Sequence, residues 1–437
     1  MYNKIVLGLK DEIGYSLFIT FLARGLAAIG GLILIIVIGR LYGASGVGVF
    51  AIAQSICIGA SLLARGGMDS ALIRFVGQNY TSEAIKKYLF WSLTRATILS
   101  VAVATMVFVL RFQFASWFNA PALADIITGI AFTIPPFTIA FIISGFMKGI
   151  RKPAIACLLE NGIVMLIATA IVLVMDAFYE RGINNIGWAL AISAWFVFFN
   201  ALWITNSWFR NTKLTHDLQP VTKMDFRESS ISFFIMSLAQ FIQQVVCIMV
   251  AAWLLNSVEL GIFRSAERAA FLISFVLLVI NSVFPPRFAN LYYKNELSKL
   301  SSLARKGAVL GITLASPLLF LCLIAPHWVL GIFGEEFVEA ANLLRILALA
   351  QMVNVATGSV GFILNMTGHD KLMRNISLSC NILGLALFFT LISIFGVLGA
   401  ALALAFILVL QNCIALVYVW KKLKIWVLPT PNFIKWF

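Results

Sequence analysis

The sequence RFVGQNYTSEAIKK, at residues 74–87, has a second copy in RFANLYYKNELSK, at residues 287–299, about half of the 437-residue chain further on. Five positions keep the same residue at one constant offset: Arg74 and Arg287, Phe75 and Phe288, Tyr80 and Tyr293, Glu83 and Glu296, and Lys86 and Lys299. The same offset aligns GVF at Gly48 with GIF at Gly261. Because charged residues recur in register, we predict that the chain contains an internal duplication.

The composition indicates that a lipid bilayer surrounds most of the chain. Hydrophobic residues make up 61% of the sequence and charged residues 11%, whereas soluble domains are about a quarter charged. Apolar stretches such as LAAIGGLILIIVIG and ALALAFILVLQNCIALVYVW recur throughout, and a membrane-spanning helix needs about 20 such residues. The alternating ten-residue strands that are typical of membrane β-barrels are not found.

We therefore predict an all-α integral membrane protein with twelve transmembrane helices. The predicted spans are 13–39, 47–68, 88–110, 123–147, 154–175, 186–206, 229–254, 260–284, 306–325, 341–365, 374–394 and 397–420. Six helices return the chain to its starting side, so the two copies have the same orientation and form a parallel repeat. The expected arrangement is two six-helix bundles, 1–212 and 213–437, around a central cavity.

The net charge of +14 is an orientation signal and does not indicate a nucleic-acid partner. With the N-terminus in the cytoplasm, the external loops hold only Arg40, Arg111 and Arg181, and most other basic residues lie in cytoplasmic loops and tails. Cytoplasmic loops of membrane proteins carry such an excess of lysine and arginine. We expect both termini in the cytoplasm, and anionic membrane lipids as partners of the basic surface.

Several arginines fall inside predicted spans, which suggests a wet cavity. An arginine at the centre of a membrane helix costs roughly 2.5–3.5 kcal/mol on insertion scales. The planar guanidinium group binds phosphate oxygens in pairs, so the ligand expected here has a phosphate-like anionic group. The candidate substrate-binding residues are Arg24, Arg65, Arg264, Arg268 and Arg345, together with Gln240 and Gln244.

Each arginine also has a simpler structural explanation. Arg65 can form a local i, i+4 ion pair with Asp69 at the end of its helix. Arg264 can lie near the external end of its helix and extend its charge to water. Arg345 can face the acidic external loop that precedes it. Arg24, which shares a face with small and polar residues, is the hardest of the arginines to explain in this way.

Two carboxylates are candidates for coupling transport to an ion. Glu160 and Glu267 lie within predicted spans, where a carboxylate can carry H⁺ or Na⁺. For Glu160 the alternative is an interhelical hydrogen bond or an arginine partner, and Glu267 can neutralise its neighbour Arg268. No metal ion or organic cofactor is expected.

The segments GRLYGASGVGVFAIAQSI, GMDSALIRFVGQNY, GIFRSAERAAFLISFVLLVINSVFPPRFANLY and GFILNMTGHDK resemble the polysaccharide-transport branch of the multidrug/oligosaccharidyl-lipid/polysaccharide exporter superfamily. More narrowly, the chain resembles the O-antigen flippases of Gram-negative bacteria. The resemblance implies two six-helix bundles in a V shape. It also implies alternating-access transport of a polyprenyl-diphosphate-linked oligosaccharide from the inner to the outer leaflet of the bacterial inner membrane, next to the polysaccharide polymerase machinery. Arg24, Arg65 and Arg268 match the cationic cavity residues of that family in kind and rough placement.

Two other classes of protein remain as alternatives. A multidrug or organic-cation antiporter on the same fold would need acidic cavity residues, but here the arginines outnumber Glu160 and Glu267. An integral-membrane polysaccharide polymerase or glycosyltransferase would need a large loop with catalytic carboxylates or histidines, and the longest loop, 207–228, has no such cluster. The sequence therefore predicts a transporter and not an enzyme.

Overall fold

The computed structural model describes residues 2–78, 82–178, 182–215, 223–241, 245 and 247–428, and these are almost entirely helical. The first half contains α1 (Tyr2–Arg65), α2 (Met68–Gln78), α3 (Ala84–Val109), α4 (Arg111–Trp117), α5 (Leu123–Gly149), α6 (Pro153–Cys157), α7 (Ile163–Phe178) and α8 (Asn184–Asn211). The second contains α9 (Lys223–Phe241), α10 (Cys247–Leu254), α11 (Ser257–Val283), α12 (Pro285–Tyr293), α13 (Leu297–Ile324), α14 (Pro326–Gly331), α15 (Ala341–Thr357), α16 (Val360–Met366), α17 (Asp370–Phe395) and α18 (Val397–Leu423).

Within the described residues, nine helices are long and apolar enough to cross a membrane. The longest of them, Phe21–Arg65, contains the first two predicted spans. The seventh predicted span falls on α9 and α10, where residues 242–244 and 246 are outside the described part. The eighth falls on α11, which carries three charged residues within that span and is not among the nine. The all-α membrane fold is confirmed, and the helices are consistent with the twelve-helix, two-repeat layout.

A break at Gly43 divides α1 into two segments. Gly43 has φ 67° and ψ −171°, a conformation that L side chains rarely adopt. The backbone N–H of Ala44, which begins the second segment, donates a 2.9 Å hydrogen bond to Oε2 of Glu336. A carboxylate at this position satisfies a free N–H and complements the helix dipole, so Glu336 caps the second segment of α1.

The duplicated segments have the same local structure. In the first copy Arg74 lies on the short helix α2, and in the second copy Arg287 lies on the short helix α12. Each short helix is followed by an i, i+3 ion pair: Glu83 with Lys86 at 4.0 Å, and Glu296 with Lys299 at 2.9 Å.

The chain divides into two compact units, and the division differs from the predicted one. Unit 1 contains Met1–Tyr42 and Val49–Met249, and unit 2 contains Gly43–Gly48 and Val250–Phe437. The sequence placed the boundary between 212 and 213 because hydropathy and repeats show where helices are, not which helices pack together.

Helix α9 belongs to unit 1 because aromatic side chains hold it against α2 and α3. The ring of Phe226 lies 5.2 Å from that of Tyr88 and 5.4 Å from that of Phe75. The backbone of α9 also passes so close to Gly67 that a Cβ there would overlap Ser230. Because of this packing, unit 1 extends beyond residue 212 and ends at Met249.

In unit 1, helix α5 packs against α2, α3 and α8 and is buried over most of its length. It meets α8 at Gly129 and Gly187, where an added Cβ would overlap the opposing backbone. In unit 2, helix α11 packs against α13, α15 and α18.

Candidate functional site

Arg65 is held by three neighbours in unit 1. Its Nη1 lies 3.2 Å from Oδ2 of Asp69, and its Nε donates to the carbonyl oxygen of Ser61 at 3.4 Å. The guanidinium carbon lies 4.2 Å from the centre of the Phe141 ring, within the range of a cation–π contact. The local pair with Asp69, the simpler explanation of Arg65, is therefore present.

Glu160 lies on one π-helical turn, Leu158–Gly162, between α6 and α7. Its Oε1 accepts a 2.8 Å hydrogen bond from Oγ of Ser144 and forms an ion pair with Lys148. The interhelical hydrogen bond is therefore present, and the charged partner is a lysine on α5 and not the arginine that was considered. Sequence reasoning missed Lys148 because it counted this residue as an orientation signal. The spacing of Ser144 and Lys148, one helical turn apart on α5, is the signal that could have found it.

These contacts form a polar cluster in unit 1, defined by Arg65, Asp69, Lys148 and Glu160. The hydroxyl of Thr138 on α5 donates to Oγ of Ser61 at 3.2 Å, near the end of α1. Two cations face two anions, so the cluster is balanced in charge. A ligand that bound here would first have to displace an existing ion pair.

The charges inside the predicted span of α11, in unit 2, are not balanced, because it holds two arginines and one glutamate. Arg264, whose side chain is 6% exposed, forms an ion pair with Glu267, and Arg268 follows one turn after Arg264. Among the described residues, Nε of Arg264 and Nε of Arg268 are buried and have no hydrogen-bond partner. A buried donor without a partner is costly, and an anion would satisfy it. The α11 arginines are therefore the part of unit 2 that best fits an anionic ligand.

Arg24 is exposed on the first segment of α1 and makes no hydrogen bond or ion pair within the described part of the chain. The polar neighbours that sequence placed on its face, Ser16 and Thr20, have side chains outside the described part. The same holds for the side chain of Gln240, while Gln244 lies entirely outside the described residues. The predicted role of the two glutamines stays a prediction.

Arg345 binds the end of a neighbouring helix. Its Nε donates to the carbonyl oxygen of Leu323 at 3.2 Å, and its Nη1 donates to Oδ1 of Asn342 at 3.1 Å. Leu323 lies in the last turn of α13, where carbonyl groups lack partners within the helix. These contacts indicate a structural role, in which Arg345 caps α13.

We expect Arg345→Ala to lower the free energy of unfolding by about 1–2 kcal/mol, because it removes a charge-assisted hydrogen bond to a free carbonyl. Arg345→Lys should recover part of the loss, since an ammonium group still donates. Denaturant unfolding of the purified variants in detergent measures both effects. A normal stability combined with lost transport in Arg345→Ala would instead place Arg345 at a ligand.

A family model for the polysaccharide biosynthesis protein family matches residues 13–292, well over half of the chain. The chain belongs to the polysaccharide biosynthesis protein family. A second family model, MatE, matches residues 232–390 of this family member. No curated protein sequence matches it.

Solved structures of transporters share the fold of this polysaccharide biosynthesis protein. The MATE multidrug transporter DinF-BH, solved as a complex, has a TM-score of 0.62 and 17% identity, and the match covers 93% of this chain and 94% of that chain. The Vibrio cholerae MATE transporter VcmN in the bent form has a TM-score of 0.63 and 14% identity, with 95% and 98% covered. A superfamily transporter from Pyrococcus furiosus has a TM-score of 0.60 and 15% identity, with 93% and 94% covered.

The family and the fold together confirm the predicted superfamily of multidrug, oligosaccharidyl-lipid and polysaccharide exporters. The protein is a multi-pass membrane transporter and not an enzyme.

Proposed function

We propose that the protein is a flippase that moves a polyprenyl-diphosphate-linked oligosaccharide, of the O-antigen repeat type, from the inner to the outer leaflet of the bacterial inner membrane. The observation that carries this proposal is a difference in pairing: arginines within the membrane helices have donors without a partner among the described residues, whereas the carboxylates are paired. Arg24 is exposed without a partner in the described chain, and Arg264 and Arg268 have unpartnered donors there. Both candidate carboxylates, Glu160 and Glu267, already have cationic partners.

In the proposed mechanism the diphosphate enters from the cytoplasmic leaflet and binds guanidinium groups. Binding lowers the mutual repulsion of neighbouring arginines such as Arg264 and Arg268, which lie one turn apart on α11. A membrane that is negative inside favours outward movement of an anion by about 2.3 kcal/mol per charge for each 100 mV. Exchange of H⁺ or Na⁺ at Glu160 or Glu267, in competition with Lys148 or Arg264, would then reset the transporter. Both termini are cytoplasmic in this proposal.

The second candidate function is export of organic cations. The structures that share this fold include multidrug transporters, and the fold is compatible with that activity. The transporter from Pyrococcus furiosus, however, has a binding pocket of reverse polarity, which suggests a different function for that protein. The charges in this chain favour an anion, because a cation would have to compete with Lys148 and Arg264 for the two carboxylates.

A transport assay on Arg24 variants tests the proposal. In vesicles that contain a fluorescent lipid-linked oligosaccharide, we expect Arg24→Ala to slow movement between leaflets at least about tenfold, since it removes a charge-assisted contact to phosphate. Arg24→Lys should retain part of the rate. Arg40→Ala, the same change on the same helix, is the matched control. Full activity in Arg24→Ala would remove Arg24 from the mechanism, and export of a cationic rhodamine dye without oligosaccharide movement would favour the second function.

A further inference from the structure

The seam between α3 and α9, both in unit 1, contains a cavity with two basic side chains. The cavity has a volume of about 510 Å³, and its wall includes Trp91 and Arg95 of α3 and Phe226 and Arg227 of α9. The two guanidinium groups thus come from two different helices. Among the described residues no carboxylate lines the cavity, so its chemistry favours an anion.

Both arginines are exposed, and neither forms an ion pair within the described ranges. The acidic residues closest in sequence are Asp225 and Glu228, which flank Arg227 on α9 but do not line the cavity. An arriving anion therefore does not have to break an existing pair with either guanidinium group.

A second cavity of about 260 Å³ lies further along α3 and α9, where α1 closes the seam between them, and it is almost purely apolar. Its wall includes Leu62 of α1, Val103 and Met106 of α3, and Leu238 and Phe241 of α9. With a rise of 1.5 Å per residue, Arg95 and Met106 are about 16 Å apart along α3. That distance is about half of the 30 Å hydrocarbon thickness of a bilayer. The seam thus has a cationic end and an apolar end, separated by the depth of one leaflet.

We propose that this seam binds one anionic glycerophospholipid, with its phosphate between Arg95 and Arg227 and an acyl chain along the apolar cavity. On the orientation that the loop charges predict, α3 and α9 both begin at the cytoplasmic surface, so the cationic end lies at the level of the cytoplasmic head groups. Basic pockets between membrane helices on that side bind such head groups. A free phosphate would explain the arginines but not the apolar cavity, and a glycerophospholipid explains both. This proposal does not depend on the transported substrate.

Native mass spectrometry of the full-length protein, released from nanodiscs of phosphatidylcholine with added phosphatidylglycerol, tests the proposal. We expect the wild type to retain one phosphatidylglycerol molecule, and the double variant Arg95→Gln/Arg227→Gln to bind it at least about tenfold more weakly. Met106→Trp, which fills the apolar cavity without changing charge, should also weaken retention. The matched control is Arg210→Gln/Arg305→Gln, which removes two exposed arginines outside the seam.

Further measurements distinguish between the possible ligands of the seam. Equal retention of phosphatidylglycerol in the wild type and in the Arg95→Gln/Arg227→Gln variant would show that the two arginines do not form a binding site. Displacement of phosphatidylglycerol by millimolar inorganic phosphate would overturn the lipid assignment, because it would indicate a phosphate site. Retention of undecaprenyl diphosphate in preference to phosphatidylglycerol would also overturn the proposal, because the seam would then belong to the transported lipid.

Discussion

Gly48→Ala and Gly261→Ala are each expected to lower the free energy of unfolding by about 3 kcal/mol or more, a large effect for the addition of one methyl group. A Cβ on Gly48 would overlap the backbone carbonyl of Ser257, and a Cβ on Gly261 would overlap the backbone carbonyl of Ala44. Backbone atoms cannot rotate away as a side chain can. One of the two segments would have to move, and the closely packed residues around it would lose contacts.

Gly31→Ala is the matched control for this pair. Gly31 lies on the same helix as Gly48, and a Cβ there would meet no atom of the described residues within 4 Å. Since alanine favours a helix over glycine by about 1 kcal/mol, this variant should be as stable as the wild type or more stable. Denaturant unfolding in one detergent compares the three variants. Equal effects of Gly31→Ala and Gly48→Ala would show that the close approach does not exist.

The two sensitive glycines hold equivalent positions in the repeat. GVF at Gly48 and GIF at Gly261 are the pair aligned by sequence, and Ala44 and Ser257 are separated by the same offset. The contact is reciprocal: Gly48 meets Ser257, and Gly261 meets Ala44. A two-fold relation produces such reciprocity, in which i contacts j and the copy of i contacts the copy of j. The duplication inferred from loop residues is thus also visible where two copies of one segment pack together.

The sequence predicted the helices and the repeat because both follow from local patterns. Apolar runs of membrane length identify helices, and the positions of Glu83, Lys86, Glu296 and Lys299 identify the repeat. The sequence did not predict that the segment at Gly43 contacts Glu336. A glycine in an apolar sequence does not indicate which distant residue it approaches. The same limit applies to the packing of α9 in unit 1.

Side-chain partners within the membrane were the least predictable feature. The sequence identified Arg65, Glu160 and Glu267 as unusual, since charged residues in apolar runs are rare. It could not decide between a ligand role and an internal pair, because that depends on which helix lies opposite. In the structure the partner of Glu160 is Lys148, which lies on another helix. The partner of Arg65 is Asp69, which lies only four residues further along the chain, so the sequence could predict this pair.

Glu267→Gln is expected to destabilise the protein by about 3 kcal/mol or more, because it removes the counter-charge of a buried arginine. Arg264 is buried and pairs with Glu267, and Arg268 lies one turn away on the same helix. Removing one partner of a buried pair leaves an uncompensated charge, which typically costs about 3–5 kcal/mol. Here a second cation stands nearby, so the remaining charges also repel each other.

The chain offers a matched control in Glu296→Gln. Glu296 and Lys299 have the same i, i+3 spacing, but the lysine is exposed, and exposed pairs contribute at most about 1 kcal/mol. The double variant Arg264→Met/Glu267→Met should recover much of the stability lost in Glu267→Gln, since it removes the unpaired charge of Arg264 together with its repulsion of Arg268. Denaturant unfolding of the four proteins measures these differences. If Glu267→Gln and Glu296→Gln cost the same, the pair on α11 is solvated like a surface pair. The unpartnered donors of Arg264 and Arg268 would then give no reason to expect an anionic ligand there.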